Sequence, residues 1–239
     1  MKPIVLSIPL LMLAGLSACY ELGPWQGIEG HGPVVERKLD LDRIKGISLP
    51  GSAKIFLTQD NRQEVRVIGQ ENIIDNLNTV VSGEIWRIDN KLPVRRSEPL
   101  QIYITLKDLR LIRISGSGDV NTTNRFSNLN DLEIRISGSG DVKLEVEADD
   151  ILAQLTGSGS MILEGEASDL NFGISGSGSI RAGDLRARKA AVRISGSGSM
   201  ELDVRDELDA HISGSGNIFY SGNPDTHTRI SGSGHVRSR

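Results

Sequence analysis

The chain has 239 residues, a formal net charge of −4, one cysteine, and only 4% aromatic residues. A single cysteine excludes a disulfide framework and a zinc site built from several thiolates. The net negative charge argues against a nucleic-acid-binding protein, which needs a basic stripe. The few aromatic side chains weaken any interpretation based on stacking against bases or sugars. The 27 glycines are an enrichment that indicates repeats or many turns.

The first 18 residues are typical of a bacterial lipoprotein signal peptide. Lys2 gives a positive start, and the apolar run Ile4–Leu16 is too short to span a bilayer as a helix. The run ends in Leu16-Ser17-Ala18-Cys19, which resembles a lipobox, in which the chain is cut before the cysteine and the thiol is lipid-modified. An ordinary signal peptide that leaves a free cysteine is the alternative interpretation.

We therefore expect a signal peptide over residues 1–18, lipidation of Cys19, and a tether over 19–33 that is rich in glycine and proline. Two or three acyl chains on one residue give stable membrane anchoring. Tyr20 is not the aspartate that retains lipoproteins in the inner membrane, so the lipobox resemblance implies an outer-membrane lipoprotein that faces either the periplasm or the cell surface.

Residues 34–112 read as mixed strands with one short helix. The helix is expected over Glu71–Val81, where Ile73, Ile74 and Leu77 have helical spacing. This part should cover the N-terminal end of the fold, which would otherwise present an open sheet edge. Alternating or apolar runs predict the strands at Val34–Val35, Ile44–Ile47, Ala53–Leu57, Val65–Ile68, Glu84–Ile88 and Leu100–Leu106.

Residues 113–239 are organised by a repeated tetrapeptide. Ser-Gly-Ser-Gly occurs at 115–118, 137–140, 175–178, 195–198, 213–216 and 231–234, and Thr-Gly-Ser-Gly at 156–159. The starts are separated by 22, 19, 19, 20, 18 and 18 residues. Apolar residues around each copy alternate with period two, as at Leu132, Ile134 and Ile136 before the second copy and Val142 and Leu144 after it.

The alternation places the glycines on the side of the core and the serines on the side of the solvent. One coil of about 20 residues cannot bury its own apolar row, so stacked coils must share a core. We therefore predict an all-β fold, a right-handed parallel β-helix or solenoid with one short helix near the N-terminal end, as a single domain over 34–239. An antiparallel sandwich would not explain why one tetrapeptide recurs once per coil in the same orientation.

Stacking in register should align the outward serines into two ladders, which form the candidate binding surface. The same ladders could equally serve only to keep an exposed sheet soluble. The candidate residues are Ser115, Ser117, Ser137, Ser139, Ser175, Ser177, Ser195, Ser197, Ser213 and Ser215.

The sequence offers little chemistry for catalysis or for a cofactor, and we expect neither a resident metal nor a cofactor. The four histidines lack metal-ligand spacing, and the repeated serine lacks the Gly-x-Ser-x-Gly pattern of a nucleophile elbow. Asp119 and Asp141 follow two adjacent copies and should stack, so a calcium ion could bridge them. The alternative is that each aspartate hydrogen-bonds local backbone amides.

The residue order resembles a known bacterial family. Ile44–Ile47, Leu49–Ile55 and Glu64–Ile68, then the short helix, lead into Ser115-Gly116-Ser117-Gly118-Asp119-Val120. This order looks like the "putative auto-transporter adhesin, head GIN domain", a domain of unknown function, over roughly residues 35–236. The resemblance implies a right-handed β-helix-like fold in an envelope protein, often a lipoprotein, and it carries no catalytic residues.

The sequence thus favours a non-enzymatic, lipid-anchored envelope protein that acts as an adhesin-like binding or structural scaffold. Its partners would be the membrane, through the lipid, and an envelope protein or glycan, but not nucleic acid; copies could also associate end to end. A β-helix carbohydrate-active enzyme is the main alternative and predicts charged residues with shifted pKa values in one groove. A face that binds ice or orders water is a weaker alternative function.

Overall fold

The computed structural model describes residues 27–239, and this part of the chain is a parallel β-solenoid of about seven turns. The predicted lipidation site Cys19 and the rest of residues 1–26 lie outside the described residues. Within 27–239, no helix has the length and apolar character needed to cross a membrane.

The strands are named in chain order, and the described residues contain one α-helix, α1 (Glu71–Asp75). The strands are β1 (Ile28–Glu29), β2 (Val34–Leu39), β3 (Gly46–Leu49), β4 (Lys54–Gln59), β5 (Glu64–Gln70), β6 (Val81–Ser82), β7 (Ile85–Arg87), β8 (Val94–Arg96), β9 (Gln101–Leu106), β10 (Leu111–Ile114), β11 (Asp119–Thr122), β12 (Phe126–Gly138), β13 (Asp141–Gly157), β14 (Ser160–Gly176), β15 (Ser179–Gly196), β16 (Ser199–Gly214), β17 (Asn217–Ser221), β18 (Asp225–Gly232) and β19 (His235–Ser238).

The long strands β12 to β16 stack in parallel, so that equivalent residues of successive coils are neighbours. One core column consists of Ile136, Leu155, Ile174, Ile194 and Ile212, each at most 2% exposed. The period-two pattern of the sequence therefore becomes an apolar interior shared by all coils. This confirms the predicted parallel solenoid.

The two glycines of each copy have different structural roles. The second glycine is buried; a Cβ on Gly198 would lie 2.6 Å from Cγ2 of the core residue Ile174. The first glycine is only half-buried, and from the second copy onward it has a positive φ, as at Gly196 (+123°). A Cβ there would meet the carbonyl oxygen of Gly176 in the preceding coil at 2.5 Å. The expected core-facing role thus holds only for the second glycine.

Antiparallel elements cover the N-terminal end of the stack, as expected. β4 pairs with β9 in parallel, and β9 pairs in turn with β5 and β5 with β2, both antiparallel. Arg37 of β2 contacts α1 through ion pairs with Asp75 and Glu71, and its hydrogen bond with Asp75 is the main cause of the raised pKa of its guanidinium.

The helix is shorter than expected and ends at Asp75. The side chain of Asn76 donates to the carbonyl oxygen of Leu92 at 2.8 Å and accepts from its amide at 3.0 Å, which diverts the chain into a loop. Val81 accordingly lies in β6, and Val80 is 67% exposed. Part of the segment expected as a tether forms β1, which pairs with β8.

Candidate binding surface

The seven copies of the tetrapeptide form one continuous edge, here called the serine corner (residues 115–118, 137–140, 156–159, 175–178, 195–198, 213–216 and 231–234). In the first ladder Ser137, Thr156, Ser175, Ser195 and Ser213 are register partners in successive coils. All ten serines predicted from the sequence are exposed: Ser115, Ser117, Ser137, Ser139, Ser175, Ser177, Ser195, Ser197, Ser213 and Ser215.

Backbone hydrogen bonds between coils hold the second ladder. The amide of Ser177 donates to the carbonyl oxygen of Gly157 at 3.0 Å, and the amide of Ser197 donates to that of Gly176 at 2.9 Å. The same bond recurs from Ser139 to Ser233. Because the backbone alone makes these bonds, the hydroxyls remain available to solvent or to a ligand.

A column of basic residues lies beside the first ladder, two positions earlier in each coil. Arg113 and Arg135 are register partners, as are Arg193, His211 and Arg229 further along. The four arginines are exposed; Arg135 forms an ion pair with Glu133, and none of the other three forms one within the described chain. The first ladder is therefore flanked by four guanidinium groups and the imidazole of His211, with interruptions at Gln154 and Gly173.

Asp119 and Asp141 are register partners, as the sequence predicted. Asp119 also stacks on Lys54, and Oδ1 of Asp141 accepts hydrogen bonds from the amide (3.0 Å) and the hydroxyl (2.7 Å) of Ser160. The two hydrogen bonds from Ser160 thus offset part of the repulsion between the carboxylates. Over residues 27–239, no three His, Cys, Asp or Glu side chains are grouped so as to hold a metal ion.

A polar cleft of about 1020 Å³ lies among the N-terminal coils, away from the serine corner. Arg43, Lys45, Asp60, Lys107 and Asp131 contribute charged groups to its walls. Sequence reasoning missed this site, because its residues come from segments up to 88 positions apart and share no spacing pattern.

Hydrogen bonds of the Gln59 side chain hold one wall of this cleft in place. Its amide nitrogen donates to the carbonyl oxygens of Lys107 (3.2 Å) and Ser127 (2.9 Å), and its oxygen accepts from the Ser127 amide at 2.9 Å. The cleft is therefore partly formed by a fixed link that joins β4 to the residue after β9 and to the start of β12.

A second groove contains the ion pair of Lys189 and Glu207, whose side-chain atoms are 3.0 Å apart. Their mutual hydrogen bond raises the pKa of Lys189 and lowers the pKa of Glu207. Both shifts favour the charged forms, whereas a general acid or base needs a pKa moved toward the working pH. This pair therefore resembles a surface ion pair rather than a catalytic dyad.

The fold and the serine corner together define a class of protein: a parallel β-solenoid with a regular edge of exposed hydroxyl groups. The chain belongs to the family described as "Putative auto-transporter adhesin, head GIN domain", whose model matches residues 44–224. No curated protein matches the chain.

Solved structures support the same assignment. A "putative adhesin" from Bacteroides fragilis is 25% identical, with a TM-score of 0.81 over 89% of this chain and 100% of that one. A "putative lipid binding protein" from Parabacteroides distasonis is 27% identical, with a TM-score of 0.76 over 90% and 100% of the two chains. A "putative adhesin" from the same species, 24% identical over 89% and 100% with a TM-score of 0.75, shows the shared fold alone.

Proposed function

We propose that this protein is a lipid-anchored, non-enzymatic protein of the bacterial envelope that binds its ligand through the serine corner. Membership of a family described as adhesins supports a binding role. The lipobox that ends at Cys19 supports an anchor in the outer membrane. The lipid would hold the chain at the membrane, and the solenoid would be the part of the protein that binds a partner.

The regular exposure of the serine ladders is the observation that carries the proposal. Hydroxyl groups recur about every 4.8 Å along the stack on a backbone fixed by hydrogen bonds between coils. Serine loses little side-chain entropy on contact, so such an edge can bind at a low ordering cost. The adjacent arginines favour a ligand with acidic groups, such as an acidic glycan or an acidic surface of an envelope protein.

The binding test can use the fragment 27–239. The Bacteroides fragilis protein folds as a unit that matches 89% of this chain over its own full length. The fragment keeps all 213 residues that the structure describes, so it retains every coil of the solenoid.

The fragment would be applied to an array of bacterial glycans and envelope proteins. We expect binding that Ser195→Glu with Ser213→Glu abolishes, because two carboxylates would then occupy the corner. Ser82→Glu with Ser238→Glu, at exposed serines outside the serine corner, should bind like the wild type. An empty array, or equal loss in both double variants, would contradict the proposal.

A carbohydrate-active enzyme is the second candidate, and the polar cleft is the observation that favours it. Asp60, Asp108 and Asp131 line this cleft and are its candidate carboxylates. The fragment should leave acidic and neutral polysaccharides intact in a reducing-end assay. Cleavage that Asp60→Asn, Asp108→Asn or Asp131→Asn removes would show that the protein is an enzyme and not a binding scaffold.

The anchor can be tested separately in the full chain. Metabolic labelling with a palmitate analogue should label the wild type and leave Cys19→Ser unlabelled, and fractionation should place the labelled protein in the outer membrane. The fragment 27–239 should not float with phospholipid vesicles. Flotation would instead indicate a lipid-binding surface on the solenoid itself, the property in the name of the Parabacteroides distasonis relative.

A further inference from the structure

The C-terminal end of the solenoid is an open sheet edge within the described chain. β18 pairs with β16 and β19 with β17, and neither has a strand on its other side. At the N-terminal end β2 also pairs on one side only, with β5, but there α1 packs against both strands. A long edge with free N–H and C=O groups is a ready template for pairing with another chain.

The same edge exposes part of the core. Ile230 continues the column of Ile194 and Ile212, which are 0% and 2% exposed, yet Ile230 itself is 45% exposed. Its aliphatic side chain loses contact with water only if something lies beyond β18. The end of the stack therefore has apolar surface to bury as well as backbone groups to pair.

The exposed charges of β18 lack opposite charges within the described chain. Asp225 has Glu207 as its register partner, and Glu207 is already paired with Lys189. Arg229 has His211 as its register partner. Neither Asp225 nor Arg229 forms an ion pair within residues 27–239, so an external partner would supply the missing charges.

A second copy of β18 has the required complementarity. If two copies pair antiparallel about a two-fold axis at His227, Asp225 of each copy lies opposite Arg229 of the other. Directly opposite side chains on an antiparallel pair lie on the same face and interact. The same register places Pro224 opposite Ile230 on the inner face. The contact is the same on both sides, as a two-fold dimer requires.

We propose that two copies of this protein associate tail to tail through β18, in antiparallel register centred on His227. The dimer extends the stack of coils across the two-fold axis and covers the open edge of β18 in both copies. Each serine corner then ends at the dimer interface, and the two N-terminal ends point away from each other.

A charge exchange tests the pairing. By light scattering after size exclusion, the fragment 27–239 should be a dimer whose fraction rises with concentration. Asp225→Arg and Arg229→Asp should each shift it to monomer, because like charges would then face each other twice. The double variant Asp225→Arg/Arg229→Asp should restore the dimer. Circular dichroism should show unchanged strand content in all three variants, because both positions are exposed.

Disulfide trapping tests the register. Cys19 is the only cysteine of the chain, so the fragment has none. Opposite Cα atoms of an antiparallel pair are about 4.5–5.5 Å apart, within disulfide range. Oxidation should therefore cross-link His227→Cys into a dimer, while Ser195→Cys, on the serine corner, should remain uncross-linked.

These experiments can also overturn the proposal. A wild-type fragment that is monomeric at all concentrations excludes the dimer, whether the edge is free or covered by a different protein in the cell. Single charge variants that remain dimeric, or a double variant that stays monomeric, exclude the pairing of Asp225 with Arg229. Equal cross-linking of His227→Cys and Ser195→Cys excludes the register.

Discussion

A Cβ atom built on Gly176 would lie 2.6 Å from the carbonyl oxygen of Gly157 in the preceding coil. This carbonyl oxygen belongs to the backbone, so it cannot rotate away from the added Cβ as a side-chain atom could. Gly176 also has a φ of +125°, which L-residues with side chains rarely adopt. Glycine at this position is therefore required both by its own conformation and by the spacing of the coils.

Gly176→Ala should lower the free energy of unfolding by about 1–3 kcal/mol, the usual cost of a side chain held in a disfavoured backbone region. Urea denaturation monitored by circular dichroism measures the effect. Gly183→Ala is the matched control, because Gly183 lies in the next strand with no atom within 4 Å of the added Cβ. Similar losses in the two variants would contradict the stacking argument.

Leu144→Ala should lower the free energy of unfolding by about 2–5 kcal/mol, because it removes a buried side chain and leaves a cavity. Leu144 is fully buried and stacks on Leu163 of the next coil. Leu92→Ala at a side chain that is 55% exposed should change it by about 0.5 kcal/mol or less. If the two variants unfold at the same urea concentration, the core does not lie where the structure places it.

The ion pair of Lys189 and Glu207 should produce a small stability effect that depends on pH. The pKa of Glu207 is lowered from 4.5, so its contribution is present above that value and is lost as the pH falls through the folded-state pKa. The pKa of Lys189 is raised from 10.5, so its contribution is present below that value and is lost as the pH rises through the folded-state pKa.

Glu207→Gln should therefore have a slightly lower Tm than the wild type between pH 4.5 and 10.5, and the difference should disappear at lower pH. Because the pair is exposed, high salt should also remove the difference. Glu147→Gln, at an exposed glutamate with no ion pair in the described chain, is the control. A difference that grows on acidification would contradict the assigned direction of the shift.

Calcium should leave the Tm of the fragment unchanged relative to EDTA, because Asp141 already accepts two hydrogen bonds from Ser160 and Asp119 stacks on Lys54. A scan up to millimolar calcium covers the affinity range of weak extracellular sites. A rise in Tm that Asp119→Asn abolishes would show instead that a cation bridges the two aspartates.

The repeat region could be predicted because its signals are local and recur. The tetrapeptide fixes the coil length, and period-two alternation fixes which side chains face the core, as Ile174 and Ile194 illustrate. The role of the first glycine could not be predicted. Assigning alternate residues to the core and to the solvent assumes an extended backbone, and the positive φ at Gly176 is not extended.

The polar cleft and the end of the helix depend on contacts between distant residues. Asp60 and Asp131 line one cleft only after the N-terminal part has packed on the first coils. The helix stops at Asp75 because Asn76 bonds to Leu92, sixteen residues later. No periodicity in the sequence encodes either contact, so both required the folded structure.

The serine corner keeps its register while other parts of each coil vary in length. Between β15 and β16 the register shifts near Ala182–Arg186 and Ala187–Lys189, yet Ser195 remains opposite Ser213 and Gly196 opposite Gly214. Insertions and deletions are therefore absorbed away from the tetrapeptide. Duplication of a coil would therefore lengthen the solenoid by one repeat. The spacing between neighbouring copies of the tetrapeptide would stay constant.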